Sequence, residues 1–476
     1  MIPDRFAPVF AELKPLAERF DAAGHRLFLV GGSVRDLLVE TGRHEFDLDL
    51  TTDARPQRIK QLLDGWADAI WNQGEKFGTI GARRLGRSFE ITTFRAESYS
   101  DESRKPHVTF ADEIETDLSR RDFTINAMAL EVTRGATPTL VDPFGGAVDL
   151  VRKVLRTPLG PEISFNDDPL RMLRAARFIA AHDLAPTAEV LAAVNTMASR
   201  LEIVSAERIR DELDKMITFD HPAAALFFLH DTGLAEHFLP ELPAMRLEHD
   251  PIHRHKDVLT HTIAVVENVR PPAEFAETRP PFDFRVVRLA ALFHDVGKPR
   301  TRGFQPGKGT TFHHHDAVGA RITRRRMEAL RYSKDDVAAV TELVALHLRF
   351  HTYRMGWSNS AVRRYVRDAG PLLRELNVLT RCDCTTRNER KARELSKRMD
   401  DLEQRIDELA EAEELASIRP ELDGVEVMQV LGLQPGRDVG EALKFLLEIR
   451  LDEGVLGEQE ITRRLRQWWA ERILDA

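Results

Sequence analysis

The chain has 476 residues, 42% of them hydrophobic and 30% charged, and a formal net charge of −9. Such a length accommodates roughly two to four domains with ample buried core, and the composition is that of a globular rather than a disordered or fibrous protein. The acidic balance argues against a protein that coats nucleic acid unspecifically, while leaving room for a local basic groove.

No apolar run approaches bilayer length, and the N-terminus lacks the basic, apolar and small-residue succession of a signal sequence, so the expectation is a cytoplasmic protein with no membrane association. The only cysteines, Cys382 and Cys384, are separated by one residue and make a poor structural disulfide, in keeping with a reducing compartment.

Residues 1–24 read as a short amphipathic helix. The apolar run Leu27–Val30 reads as a strand that ends in Gly31-Gly32-Ser33, followed by a helix over Val34–Glu40 with Ser33 as its N-cap. Glycines let backbone amides approach a phosphate closely, and a helix N-terminus favours negative charge. Next comes Glu45-Phe46-Asp47-Leu48-Asp49-Leu50, a strand on which Asp47 and Asp49 share one face and Phe46, Leu48 and Leu50 the other. Together the two segments suggest a phosphate cradle beside a paired-carboxylate site for a divalent metal.

Ser88–Phe94 alternates in the same way and places Glu90 where a third carboxylate can face the Asp pair from a neighbouring strand; a solvent-facing strand Glu fits the pattern equally well. With a looser strand at Leu140–Val141, the region from Leu27 to about Asp149 is a mixed α/β domain. Arg120-Arg121-Asp122-Phe123-Thr124-Ile125-Asn126-Ala127 is dense in groups able to bind a triphosphate and a ribose. From about Glu162 onward the chain reads as helical, punctuated near Pro158-Leu159-Gly160-Pro161, Pro240–Pro243 and Arg419-Pro420, with no internal repeat. In Asp168-Pro169-Leu170-Arg171, Pro169 suits a first helical turn, and Asp168 and Arg171 are expected to pair as i,i+3 neighbours within a groove.

The ordered set Gly31-Gly-Ser-Val-Arg35-Asp, Asp47-x-Asp49, Arg120–Ala127 and Asp168-Pro-Leu-Arg171 resembles the class II CCA-adding tRNA nucleotidyltransferases and the related bacterial poly(A) polymerases. The resemblance covers roughly residues 25–240. It implies an α+β fold, with a polymerase β-like nucleotidyltransferase head on a mostly helical body. Asp47 and Asp49 would hold Mg²⁺, with Glu90 as a third carboxylate. Gly31, Gly32, Ser33 and Arg35 would meet the triphosphate, and Arg121, Asp122 and Asn126 the sugar and phosphates. Cytosine and adenine each present an exocyclic amino donor beside an unprotonated ring nitrogen, so a carboxylate acceptor at Asp168 and a guanidinium donor at Arg171 can read both. Arg174 and Arg177 resemble the family's further nucleotide-contacting arginines. The chain departs from the usual Glu-Asp before the proline, having Asp167-Asp168, and it lacks the extra basic segment typical of the poly(A) polymerases.

A second constellation follows: His261, His294-Asp295 at the end of an apolar run, His313-His314-His315, His347 and Asp383. Imidazole and carboxylate together bind catalytic divalent metals. This set is similar to the HD metal-dependent phosphohydrolases. The likeness implies His261, His294, Asp295 and Asp383 as core ligands and His315 and His347 as additions for a second metal of unspecified identity.

Four segments are therefore expected: a head over 1–157, a neck over 158–240 for base and RNA binding, an HD domain over 241–390 and a helical tRNA-binding tail over 391–476. The implied activity is addition of C, C and A to tRNA 3′ ends from CTP and ATP. The alternatives are a poly(A) polymerase and an HD phosphohydrolase with an RNA-binding head. The oligomeric state is left open.

Overall fold

Leu27, Phe28, Leu29 and Val30 are buried on both faces of strand β1 (Leu27–Val30), which is why four successive apolar residues could form a strand without alternation. A computed structural model describes residues 4–39, 48–100, 103–133, 138–247, 257–274, 281–306, 309–352, 357–386, 388–413 and 419–474. The chain divides into two units, Met1–Pro240 and Glu241–Ala476.

The first unit is built on β1, β2 (Leu48–Thr52), β3 (Ala69–Trp71), β4 (Thr79–Arg84), β5 (Arg87–Thr93), β6 (Arg95–Ser100), β7 (Ser103–Phe110), β8 (Ala129–Glu131) and β9 (Thr139–Val141). Seven of these form one mixed sheet in the order β3-β4-β5-β2-β1-β8-β9, while β6 and β7 form a separate antiparallel hairpin. Strand β1 is antiparallel to both of its neighbours, and β2 runs parallel to β5. That parallel register sets Asp49 opposite Glu90. Leu48 and Leu50 on β2, with Phe89 and Ile91 on β5, are buried beneath, and the two carboxylates stand exposed on the other face. Asp47 and Phe46 lie outside the described residues.

The glycine turn departs from the sequence expectation. The helix after β1 spans Gly32–Leu38, with Gly31 as its N-cap and no side-chain cap, so Ser33 is not the cap but a buried residue of the first turn. Gly31 takes φ +71°, a conformation open to glycine, and this folds the chain directly from strand into helix.

Helices Pro161–Asp167, Leu170–His182, Ala188–Met197, Ala206–Ile217 and Ala223–Asp231 complete the first unit. Met172, Leu173, Ala175 and Ala176 of the second of these are fully buried.

Among its described residues the second unit is helical apart from a two-stranded hairpin, Arg302–Gln305 with Gly309–Phe312, which the sequence did not reveal because four-residue strands leave too little alternation to see. Helices Val258–Asn268, Phe284–Phe293, His315–Ala329, Lys334–Leu346 and Leu373–Cys382 bring the histidine-bearing segments together. A 25-residue charged helix, Glu389–Glu413, follows. The last three helices pack around Val427, Leu446, Ile461 and Leu465, and the first of them begins with a capping box made by Asp423 and Glu426. Among the described residues no helix is long and apolar enough to cross a membrane.

One close approach in the head is a test of the packing. A Cβ on Gly146 would lie 2.0 Å from the carbonyl oxygen of Thr124, against the turn that carries Asn126. Since backbone cannot retreat as a side chain can, Gly146→Ala is expected to cost about 1–3 kcal/mol, read as a lowered Tm in thermal unfolding. A parental melting curve would show that this contact is not rigid.

Candidate functional site

The glycine turn is where the head's polar groups meet. A Cβ on Gly31 would lie 3.1 Å from Arg121 Nη1 and 3.9 Å from Asp49 Oδ2, so backbone, guanidinium and carboxylate converge on one spot. On the next residue, a Cβ on Gly32 would lie 3.5 Å from Arg35 Nη2. Any larger residue at Gly31 would occupy the space beside the carboxylate.

From Arg35 a hydrogen-bonded chain leads into the helix Leu170–His182. Arg35 Nη1 donates to Asn126 Oδ1 at 2.6 Å, and Asn126 Nδ2 donates to Asp122 Oδ1 at 3.0 Å. Asp122 Oδ2 accepts from both Nε and Nη2 of Arg174, at 2.8 and 2.5 Å. Arg177 Nε donates to Glu212 Oε2 at 2.6 Å, and Arg174 Nη1 lies 3.9 Å from the other oxygen of Glu212. The ring of Phe178 sits among three of these cations, with the Cζ atoms of Arg35, Arg174 and Arg177 at 5.4, 5.7 and 4.5 Å from its centroid. Burial alone would raise the Asp122 carboxyl, but the charge of Arg174 and the hydrogen bond from Asn126 outweigh it and bring it down to about 2.

The Arg171 amide donates to the Asp168 carbonyl at 3.0 Å, but the two side chains take other partners. Asp168 lies in extended backbone between two helices, where Oδ1 accepts from the Leu170 amide and Oδ2 accepts from Arg208 Nη2 at 2.7 Å. Arg171 is the second residue of the buried helix Leu170–His182. Its Nη1 donates to Ser164 Oγ at 2.9 Å and its Nη2 to the Arg120 carbonyl at 2.5 Å. The helix starts after Asp168, so the i,i+3 spacing does not act as it would within one helix.

Sequence reasoning missed Asp117, Glu212 and Arg208. Glu212 gave a signal: it shares a helical face with Ile209 and Met216, so a carboxylate stood on an apolar stripe. Asp117 on its six-residue helix offered no such pattern.

In the second unit four histidines and two aspartates turn toward one another. His261 Nε2 is 2.9 Å from Asp383 Oδ1 and 3.5 Å from Asp295 Oδ2, and His294 Nε2 is 3.2 Å from Asp295 Oδ2. The other oxygen of Asp295 faces His315 Nε2 at 3.4 Å and His347 Nε2 at 4.0 Å. Two triads result, His261–His294–Asp383 and Asp295–His315–His347, each compact enough to hold a metal ion.

The Nδ1–H groups of His294, His315 and His347 donate to the carbonyls of Ala291, Phe312 and Val344, each three residues back. His261 Nδ1 is matched instead with Thr385 Oγ1 at 2.8 Å. Each backbone bond fixes the tautomer that turns an Nε2 lone pair inward. The ring nitrogens then face one another in pairs, His294 Nε2 3.3 Å from His261 Nε2 and His347 Nε2 3.3 Å from His315 Nε2, a spacing that a shared proton or a shared cation can bridge. The donor set therefore fits divalent metal.

Burial would lower His294, but Asp295 beside it and Asp383 raise it. Burial pushes His347 down to about 4, helped by the charge of His294. Cys382, next to Asp383, is buried with its thiol pushed up to about 12, which makes it a packing residue rather than a nucleophile. His313 and His314 are exposed, outside the cluster.

Comparison with known proteins now has a geometry to bear on. Profiles of the poly(A) polymerase head domain, of a probable RNA- and SrmB-binding site of polymerase A, and of the HD domain match residues 27–156, 183–245 and 258–388. An A-adding tRNA nucleotidyltransferase of Deinococcus radiodurans is 33% identical over 450 residues, spanning 93% of this chain and 95% of that protein. The chain belongs to the tRNA nucleotidyltransferase and poly(A) polymerase family. A CCA-adding enzyme of Lactobacillus gasseri is 40% identical over 243 residues, a match that spans 51% of this chain and 58% of that enzyme. The Bacillus stearothermophilus CCA-adding enzyme in complex with CTP has the same fold, at a TM-score of 0.69 and 23% identity over the whole of both chains. The Thermotoga maritima CCA-adding enzyme complexed with tRNA gives 0.61 and 19% over 98% and 96%. The α+β head on a helical body with an HD domain is thus this family's architecture.

Asp122 makes the charge network testable by pH. Its carboxyl is lower in the folded state than unfolded, so its contribution to stability is present above the unfolded value of 3.8 and disappears as pH falls toward about 2. Asp122→Asn should therefore destabilise the protein at neutral pH, and its deficit against the parent should narrow by about 2 kcal/mol between about pH 5 and pH 2 in urea unfolding. A deficit that does not change with pH would mean that the Asp122 charge contributes nothing.

Proposed function

We propose that this chain builds or repairs tRNA 3′ ends in the cytoplasm, adding C, C and A from CTP and ATP with release of pyrophosphate. The observation that carries this reading is the juxtaposition of Asp49, paired in register with Glu90, with the Gly31-Gly32 turn, Arg121 and Arg35. Paired carboxylates beside a glycine turn and two arginines suit a metal-assisted transfer from a triphosphate, which supports this reading.

Asp47, Asp49 and Glu90 would hold Mg²⁺, which when bound supplies positive charge to the attacking tRNA 3′-hydroxyl and the leaving pyrophosphate. Gly31, Gly32 and Ser33 leave the backbone open to phosphate, and Arg35 and Arg121 neutralise it. Asp122 and Asn126 address the sugar, with Arg174 and Arg177 alongside. Asp168 accepts one hydrogen bond on each oxygen from protein, at Leu170 and Arg208, and a carboxylate oxygen has room for a second. It can therefore accept from the exocyclic amino group that cytosine and adenine share, with Arg171 donating to the adjacent ring nitrogen. In this scheme residues 1–157 form the catalytic head, 158–240 the neck that reads the base, 241–390 the HD domain and 391–476 a tail for tRNA.

A second reading, addition of the terminal A alone, is favoured by one observation: the relative matched nearly end to end carries that name, whereas the match to the Lactobacillus gasseri CCA-adding enzyme spans about half of each chain.

For the HD cluster we propose two metal subsites that share Asp295, with hydrolysis of phosphate esters at RNA 3′ ends as the associated chemistry. A set of four imidazoles and two carboxylates suits transition metals better than Mg²⁺.

The test is incorporation of labelled CTP or ATP into tRNA transcripts ending before the CCA and after its second C. Incorporation of both nucleotides into the shorter transcript supports CCA addition. Incorporation of A alone, only into the longer one, supports the second reading, and long A tails on unstructured RNA would instead make the chain a poly(A) polymerase. In the same assay Asp49→Ala should lose all incorporation while still retaining tRNA on a filter, and Asp168→Ala should admit UTP or GTP. Full activity of Asp49→Ala would sink the metal assignment.

Calorimetry with Mn²⁺ checks the second unit. His294→Ala should lose Mn²⁺ binding there and leave nucleotide incorporation unchanged, whereas binding equal to the parent's would rule out the two-subsite proposal.

A further inference from the structure

Asp117 is fully buried on the helix Ile114–Ser119, beneath the arginines of the head. A carboxylate is seldom buried to this degree unless it is paired, and two cations and one backbone group converge on it. Arg120 reaches Oδ1 with Nη2 at 2.8 Å and Nε at 3.2 Å, and the amide of Arg95 lies 3.4 Å from the same oxygen. Oδ2 accepts from Arg121 Nη2 at 3.2 Å. Burial would raise the carboxyl, but the charges of Arg120 and Arg121 outweigh it and hold it below the ordinary carboxylate range. The group is therefore an anion at every working pH.

The two ends of the Arg121 guanidinium do different things. Nη2 is tied to Asp117, while Nη1 extends to the point where a Cβ on Gly31 would sit, the point that Asp49 Oδ2 also borders. Arg121 Nε is buried without a hydrogen-bond partner among the described residues, so the side chain's orientation rests on the Asp117 contact rather than on a ring of bonds. An arginine has many rotamers, and this one is held in a single pose by one carboxylate. The same carboxylate orients Arg120, whose carbonyl in turn accepts from Arg171 Nη2 at 2.5 Å. One buried anion thus stands behind both the guanidinium at the glycine turn and the support of Arg171.

We infer that Asp117 is a positioning residue for nucleotidyl transfer: it aims the Arg121 guanidinium at the triphosphate and, through Arg120, steadies Arg171 at the base. It touches neither nucleotide nor metal itself. The inference rests on the reading of Arg121 as a triphosphate contact.

The experiment is steady-state kinetics of ATP addition to a tRNA transcript ending in CC, with full-length protein and with the folded fraction established by thermal unfolding. Asp117→Asn keeps the shape and removes the charge. The ATP KM should rise about tenfold, with a smaller fall in kcat and an unchanged tRNA KM, since misaiming a contact costs alignment rather than RNA affinity. In an Arg121→Ala background the same change should add less than twofold, because the group that Asp117 aims is gone.

Arg121→Lys is the second variant, and it leaves the buried carboxylate in place. A lysine keeps the charge but cannot bridge Asp117 and phosphate as a fork can, so the ATP KM should again rise about tenfold at a parental Tm. An unchanged KM in Arg121→Lys, or an Asp117→Asn effect equally large with and without Arg121, would overturn the positioning role. If Arg121→Ala itself leaves the ATP KM unchanged, the reading of Arg121 fails and the inference falls with it. An effect of Arg121→Ala without one of Asp117→Asn overturns the inference alone.

Discussion

Burying a guanidinium group is unfavourable unless a carboxylate meets it, and the first unit is arranged around that constraint. An enzyme that handles triphosphates needs several cations in one cleft, and those cations repel one another before any nucleotide arrives. Asp117, Asp122 and Glu212 are each almost fully buried, and each faces two arginines or an arginine and an amide. They hold Arg120, Arg121, Arg174 and Arg177 in fixed poses, and Phe178 offers its ring to three of the head's cations. The result is a rigid basic surface inside a chain whose net charge is −9. Local geometry rather than overall charge sets the site's affinity for anions.

The HD cluster solves the opposite problem. There imidazole nitrogens and carboxylate oxygens are brought within hydrogen-bond distance of one another, and Lys298 Nζ, 2.6 Å from Asp295 Oδ2, sets one positive charge beside them. Three of the four rings are locked by carbonyls three residues behind them, on a helix for His294 and His347 and at the end of a strand for His315, so local backbone sets their tautomer. His261 turns its Nδ1 to the hydroxyl of Thr385 instead, which follows Asp383 by two residues. The segment that delivers the last carboxylate also delivers the hydroxyl that orients the first histidine. This couples two ligands that are far apart in sequence.

Much of this was legible in the sequence where a residue's role is local. The alternation of β2 and β5 displayed Asp49 and Glu90 before any fold was known, and the parallel register explains why they are adjacent. Of the HD histidines, His294 was legible because His294-Asp295 closes an apolar run, and the others followed from the family resemblance. What escaped was long-range pairing. Asp168 and Arg171 look like partners by spacing, yet a helix start falls between them and each finds a partner from elsewhere: Arg208 is 40 residues away from Asp168, and the Arg120 carbonyl is 51 away from Arg171. Ser33 reads as an N-cap by residue preference, but the positive φ of Gly31 starts the helix earlier. Asp117 carried no pattern, because its importance comes only from what converges on it.

The distribution of these groups along the chain bears on how the two chemistries relate. Every described residue of the nucleotide network, from Gly31 to Glu212, lies within the first unit, and every residue of the HD cluster, from His261 to Thr385, lies within the second. Among the described residues, the partners named for each site all come from that site's own unit. A buried charge network fails when one partner is removed, because the remaining partner is left unpaired in a low-dielectric interior. With no shared partner, that failure stays inside its own unit. Loss of HD metal ligands should then leave the head's arginines correctly posed, and loss of the head carboxylates should leave the histidine tautomers intact, so each activity can be altered without disturbing the groups that perform the other.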